Sequence, residues 1–411
     1  MHSLKINNYI LTNMLLKGKS HKHIFMLLLI SIGCCVYKYL PNILNIELSD
    51  FLWKGIFLIF YLIFIIFVPK SKSSVHEKYD SYFIIINVSI VLSILCCYIY
   101  HGQSIVTGAI ATSIYSIFLI YFILNRTNIS QSEIEYVLIF MGIINIVIII
   151  IAFVTAPNCA FGAFEIDVAR GGFRIRAGVQ DWVFLLLAYS MNKISIKFNL
   201  KYVVLFFLCQ ISLFLLLTRQ VIILDFIVVC LFVISYSKFK YKIMALSFLL
   251  ICVFMFVNSD IGQNLIRLTI EQHDRAVYVE DDIRMKGVNF FLYKGQTDIL
   301  TVLFGNGVWS YNNSEFGHIM DKLGYLPADI GYCGFFFYFG LIALITFLSL
   351  ILNLIFKRRT REFRFLNIYF FYYGASSFAA GSILYPAQIF IFILMVYYSI
   401  ITAKKNRIYE K

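Results

Sequence analysis

The chain has 411 residues, 61% of them hydrophobic and 14% charged, with a formal net charge of +13 and a mean hydropathy of +0.82. Soluble domains carry roughly 45–50% apolar and about 25% charged residues, so these totals exclude a soluble globular protein and leave a polytopic membrane protein. The positive balance would suit a polyanion, but its distribution argues against nucleic acid. Segments 1–23, 70–80, 125–135, 193–201, 237–242, 357–364 and 403–411 hold 23 of the 35 Lys/Arg and 6 of the 22 Asp/Glu, and the remainder is net acidic. This is the positive-inside bias, which reports orientation.

Residues 1–23 are polar and basic, and 24–40 is the first apolar run. No small-residue cleavage site follows it, so a retained helix is expected. Further spans read near 51–69, 82–100, 105–124 and 136–156, each close to the ~20 residues a crossing needs. Lys54 sits near the outer end of its span, where its stem can snorkel.

Residues 157–180 form the first sizeable outer loop. It holds ARGGFRIRAG (Ala169–Gly178), with Arg170, Arg174 and Arg176 close together among glycines that let backbone approach closely. Arginines are unusual on the side disfavoured by the charge bias. They either pair with Glu165, Asp167, Asp181 or lipid headgroups, or they bind an anion. The sixth span, near 181–192, is short, but without it SKFKYK (237–242) and KRRTREFR (357–364) would move outside. Spans 202–217 and 221–236 are separated only by Thr218-Arg219-Gln220, which holds Arg219 at the outer face. Asp225, inside the eighth span, is either functional or hydrogen-bonded to a neighbouring helix.

A span at 243–257 leads into the large segment 259–330, which carries ten acidic and six basic side chains. A polar insert of this size is expected to fold outside the hydrocarbon, as a lid over the membrane helices. Within it, Glu280–Tyr293 has a helical pattern with Ile283, Val288, Phe291 and Leu292 on an apolar side and Arg284 projecting. LFGNG (Leu303–Gly307), a polar run holding His318, and PADIGYCGFFFYFG (Pro327–Gly340) follow. Spans 331–356, 365–381 and 384–402 finish the chain. The expectation is an all-α polytopic membrane protein, a single domain over 1–411 with about twelve crossings, both termini cytoplasmic and two large outer loops, 157–180 and 259–330.

Seven of the nine cysteines fall in apolar spans, only Cys159 and Cys333 lie in or beside outer segments, and no CxxC or Cys/His spacing suggests zinc. They read as small buried hydrophobes. No P-loop, GxSxG, HExxH or acidic Mg²⁺ cluster is present, so no metal and no cofactor is expected. The distinctive set is the arginines Arg170, Arg174, Arg176, Arg219 and Arg284. Arginine offers a planar, permanently charged fork that matches phosphate oxygens, and several at the membrane surface suit a lipid-linked pyrophosphate.

In its many-spanning layout with a large late outer loop, the chain resembles the bacterial O-antigen and capsular polysaccharide polymerases (the Wzy type), relatives of the O-antigen ligases. ARGGFRIRAG, LTRQ (Leu217–Gln220), Arg284 upstream of LFGNG, and ADIGYCGFFFYFG carry the resemblance. It implies a GT-C-like membrane glycosyltransferase of the bacterial inner membrane, acting at the periplasmic face without a metal. Donor and acceptor would be glycans on undecaprenyl pyrophosphate, with membrane lipid as surroundings and a chain-length regulator as a further partner. The arginines would neutralise the leaving pyrophosphate, and a carboxylate or imidazole would take the acceptor proton. Asp329 is the first candidate for that role and His318 the second; Asp329 could instead cap the following helix. Ligases of this superfamily carry a functional histidine in the late loop, but His318 lies in a different setting, FGHIMD. An O-antigen ligase using lipid A-core as acceptor remains an alternative. A lipid-linked oligosaccharide flippase is a second one, although it would be expected to show two similar halves and short outer loops.

Overall fold

The computed structural model describes residues 79–127, 129–156, 163–167, 172–176, 179–216, 219–236, 283–310, 315–379 and 382–409, with a few isolated positions between. The spans expected at 24–40, 51–69 and 243–257, and Arg170, lie outside the described residues. Among the described residues, five helical stretches are long and apolar enough to cross a membrane, as expected of an all-α membrane protein.

The helices start and stop where their ends can be satisfied. α1 (Asp80–His101) ends on Gly102, whose left-handed φ of 66° lets its N–H return to the Tyr98 carbonyl. α2 (Ile105–Thr112) is capped by Ser104 and continues through a 3₁₀ stretch, Ser113–Leu119, into α3 (Ile120–Thr127). α4 (Gln131–Val154) opens with a capping box between Ser130 and Glu133. Exposed apolar residues on α1 (Ile84, Val88, Val91, Leu95 and Ile99) recur at helical spacing and make a stripe suited to lipid.

The loop after α4 is not irregular throughout. β1 (Ala163–Asp167) and β2 (Gly172–Arg176) form an antiparallel hairpin with Glu165 opposite Arg174, which adds a small sheet to the expected all-α architecture. α5 (Gln180–Ile196) follows, and every residue from Asp181 to Asn192 is buried. It packs against α4, α6 (Leu200–Leu215) and α12 (Phe365–Ala379), so this short span is a central helix screened by protein. α7 (Arg219–Tyr236) packs against α12.

Later come α8 (Ile283–Asn289), which closes in a π turn at Phe290–Lys294, then α9 (Ile299–Phe304) and α10 (Glu315–Leu323). α11 (Tyr332–Ile355) and α13 (Pro386–Tyr409) complete the bundle. The expected helix over 280–293 is present from Ile283, with Phe291 fully buried and Arg284 exposed.

α11 is broken at Gly340, which adopts φ 80°, ψ 177°. The break frees carbonyls inside an apolar helix, and the LFGNG segment takes them. The Asn306 N–H donates to the Phe337 carbonyl (2.7 Å) and the Gly307 N–H to that of Tyr338 (3.0 Å). Gly305 and Gly307 have left-handed φ values of 88° and 74°; a Cβ at 305 would run into the Tyr338 backbone and one at 307 into Ser93 and Cys97 of α1. Residues 305–309 are therefore buried between α1 and α11. Within the segment expected to fold as a lid, these five residues are packed between two helices. Irregular backbone is tolerated among apolar helices when protein satisfies its polar groups, and here it does.

Side-chain contacts sort the described residues to two ends. At one, Glu135 of α4 accepts from Tyr398 (2.6 Å) and Tyr189 (3.2 Å), Lys357 Nζ donates to the Ser399 carbonyl (3.1 Å), and Asn192 donates to that of Glu362 (2.8 Å). Arg361 reaches the Ser195 carbonyl at the same end. The basic segments 193–201 and 357–364 thus share an end with 129–135. At the other end, Gln103 donates to the Val308 carbonyl (2.9 Å) and accepts from the Ser310 N–H (3.0 Å).

Candidate functional site

A cavity of about 210 Å³ opens at the end away from the basic segments. It is lined by Tyr115, Leu326, Pro327, Ala328, Asp329, Tyr338, Leu384 and Tyr385. Each wall depends on an irregular piece of backbone. Tyr115 comes from the 3₁₀ interruption between α2 and α3, and Tyr338 from the turn before the α11 break. Leu384 ends a 3₁₀ turn, Ser382–Leu384, and Tyr385 follows it just before α13. Regular helix in these places would turn different side chains inward.

Asp329 ends a 3₁₀ turn, Pro327–Asp329, seated by two glycines. A Cβ at Gly334 would collide with the Pro327 backbone, and one at Gly331 with the Ser377 and Phe378 carbonyls of α12. That is the physical content of PADIGYCG: the turn can lie on the first turn of α11 and the end of α12 only if both positions lack a side chain. Asp329 does not cap α11, whose N-cap is Gly331 and takes no side-chain hydrogen bond. The carboxylate is exposed, and the lining brings it together with three tyrosines and no Lys or Arg.

Arg219 approaches the same end of α12 from another side. It is the first residue of α7, and the next residue, Gln220, donates to the Ser376 carbonyl (3.3 Å). Ser377 is the residue that Gly331 packs against. The α7 start and the Asp329 turn therefore meet around the C-terminal turn of α12.

The other candidates are placed differently. Arg174 and Arg176 stand on β2, which touches α4. Arg284 is exposed on α8, outside the cavity lining. His318 is exposed on α10, whose buried residues are Phe316, Gly317 and Met320, and it does not line the cavity.

A different histidine, which sequence reasoning passed over, is built into the frame of the cavity. His101 ends α1, its Nε2 lies 2.8 Å from Oδ1 of Asn306, and its ring stacks on Phe316 (centroids 3.9 Å, 6°). Asn306 Nδ2 donates to Gln296 (3.2 Å), and Trp309 packs on both Phe316 (5.9 Å) and Tyr338 (5.1 Å). His101 reads in sequence as the polar end of a span because its partner lies 205 residues away. The cavity tyrosines were equally hidden in aromatic-rich apolar runs. Among the described residues no three His, Cys, Asp or Glu side chains gather as a metal site.

No protein-family model matches the chain, and no curated protein matches it significantly.

Proposed function

We propose that this protein is a membrane glycosyltransferase that polymerises undecaprenyl-pyrophosphate-linked repeat units into O-antigen or capsular polysaccharide at the periplasmic face of a bacterial inner membrane. The observation that carries the reading is the seating of Asp329. An exposed carboxylate lines a tyrosine-rich cavity at the end of the bundle away from the basic segments, beside the turn of α12 on which Arg219 begins α7. With the basic segments cytoplasmic, that end faces outward.

In this reading the sugar hydroxyl of one lipid-linked repeat attacks the anomeric carbon of another, and the lipid pyrophosphate departs. Asp329 takes the hydroxyl proton as the new glycosidic bond forms. The arginines of the outer face, Arg219 first, stabilise the charge that grows on the leaving pyrophosphate. The test is chain growth by the purified protein supplied with lipid-linked repeats alone, which serves neither a ligase nor a flippase. Asp329→Asn keeps the size of the side chain and removes its basicity. It is expected to insert at wild-type yield and to lower chain growth at least ~100-fold, the lower end for loss of a general base. Near-normal growth from this variant would end the assignment of Asp329.

A further inference from the structure

Tyr385 occupies a position where a helix start favours a different kind of side chain. It precedes Pro386, the first residue of α13, and its carbonyl accepts from the Gln388 and Ile389 N–H groups (both 3.0 Å). Its own N–H donates to the Ser382 carbonyl (3.3 Å). The backbone is thus fixed on both sides, by the 3₁₀ turn before it and by a proline that presets the helical φ after it. A cap position favours Ser, Thr, Asp or Asn, because a short polar side chain can accept from the next turn. Here it carries a large aromatic ring, 44% exposed, that lines the cavity.

The Ser382–Leu384 turn packs against the Pro327–Asp329 turn. Tyr385 and Asp329 therefore stand on adjoining turns whose backbones are held in place. Both side chains are exposed and line the same cavity, whose other two tyrosines, Tyr115 and Tyr338, are buried. An aromatic ring and a carboxylate are thus presented together at the cavity mouth.

Size and charge select the ligand class. At about 210 Å³ the cavity is smaller than the roughly 300–1,000 Å³ that hold drug-sized ligands, so it takes one ring rather than an oligosaccharide. The carboxylate would repel a pyrophosphate, and an acyl chain would strip the carboxylate of water. A neutral pyranose suits both groups: its C–H face lies against an aromatic ring, and its hydroxyls donate to the carboxylate. We propose that the cavity binds a single uncharged pyranose, stacked on Tyr385 with its hydroxyls toward Asp329, and that Tyr385 sets which sugar is accepted. This rests on the glycosyl-transfer reading only in making that sugar the acceptor terminus.

The probes are methyl glycopyranosides, as neutral epimers and the matching uronic acids, with the full-length protein in lipid nanodiscs so that no sugar detergent competes. Saturation-transfer NMR should show the wild type touching the ring C–H protons of at least one neutral glycoside, and binding its uronic acid about tenfold more weakly. Tyr385→Ser removes the ring and supplies a favoured cap, so the melting temperature should hold while binding falls about tenfold. Tyr385→Phe should restore binding. If Tyr385→Ser fails to fold, loss of the neutral-over-acidic preference in Asp329→Asn decides. Binding of no glycoside, equal binding of the uronic acid, or wild-type binding by Tyr385→Ser overturns the proposal. Tyr385-dependent sugar binding by a protein that extends no chains would end the polymerase reading and leave this subsite standing. Chain growth with an unchanged acceptor KM in Tyr385→Ser would do the reverse.

Discussion

Arg219 and His101 both stand at a helix end and call for different tests. Arg219 opens α7 beside the end of α12, where the Asp329 turn also rests. A solvated arginine there would tolerate lysine, since both keep the charge and both snorkel. A pyrophosphate clamp would not, because lysine lacks the two parallel donors. Under the proposed glycosyl transfer, Arg219→Lys is expected to insert normally and lose most polymer, leaving lipid A-core capped with a single repeat in a Gram-negative host; wild-type ladders on a gel would return Arg219 to a solvated role. His101 instead holds the frame of the cavity through Asn306 and Phe316. His101→Phe keeps an aromatic ring against Phe316 and leaves the buried Asn306 acceptor unsatisfied. It should lower stability by about 1–3 kcal/mol, read as a lower melting temperature in detergent.

At the scale of elements, the broken α11 and the LFGNG segment form one device. The Phe337 and Tyr338 carbonyls receive the Asn306 and Gly307 N–H groups, and the approach is close enough that neither Gly305 nor Gly340 has room for a Cβ. Gly340→Ala would force a side chain into left-handed backbone, at about 1–2 kcal/mol, and into the Leu303 carbonyl as well. The expected result is a clear drop in thermal stability together with loss of the cavity geometry, because Tyr338 and Trp309 hang on either side of the junction. A melting temperature unchanged from wild type would mean that α11 can run straight through this position. α5 makes the companion point. Its short apolar run looked marginal as a crossing, yet the helix is buried along Asp181–Asn192 and starts partway down α4, so it needs less length than a lipid-facing span.

Across the whole molecule, the basic segments 193–201 and 357–364 meet at one end with 129–135, and the cavity lies at the other. Reporter fusions at Asn313 and Lys411 should give opposite topology readouts; matching readouts would mean that the span count is off by an odd number. Composition, apolar run length and the placement of Lys and Arg determined by themselves that this is a helical membrane protein. They also marked most of the described spans, because hydropathy and charge act locally along the chain. However, α4 starts at Gln131 ahead of the expected 136, α13 runs on to Tyr409 past the expected 402, and the short helices α9 and α10 were not anticipated. The sequence likewise singled out LFGNG and PADIGYCG, by their place in and after the late polar segment and by the family resemblance. Only the tertiary structure decided what those glycines approach, which residues line the cavity, and that His101 serves Asn306 while His318 faces away. Hydrogen bonds and ring contacts between residues some two hundred positions apart leave no periodic signal, so nothing in the local pattern of α1 announces its partner in the LFGNG segment.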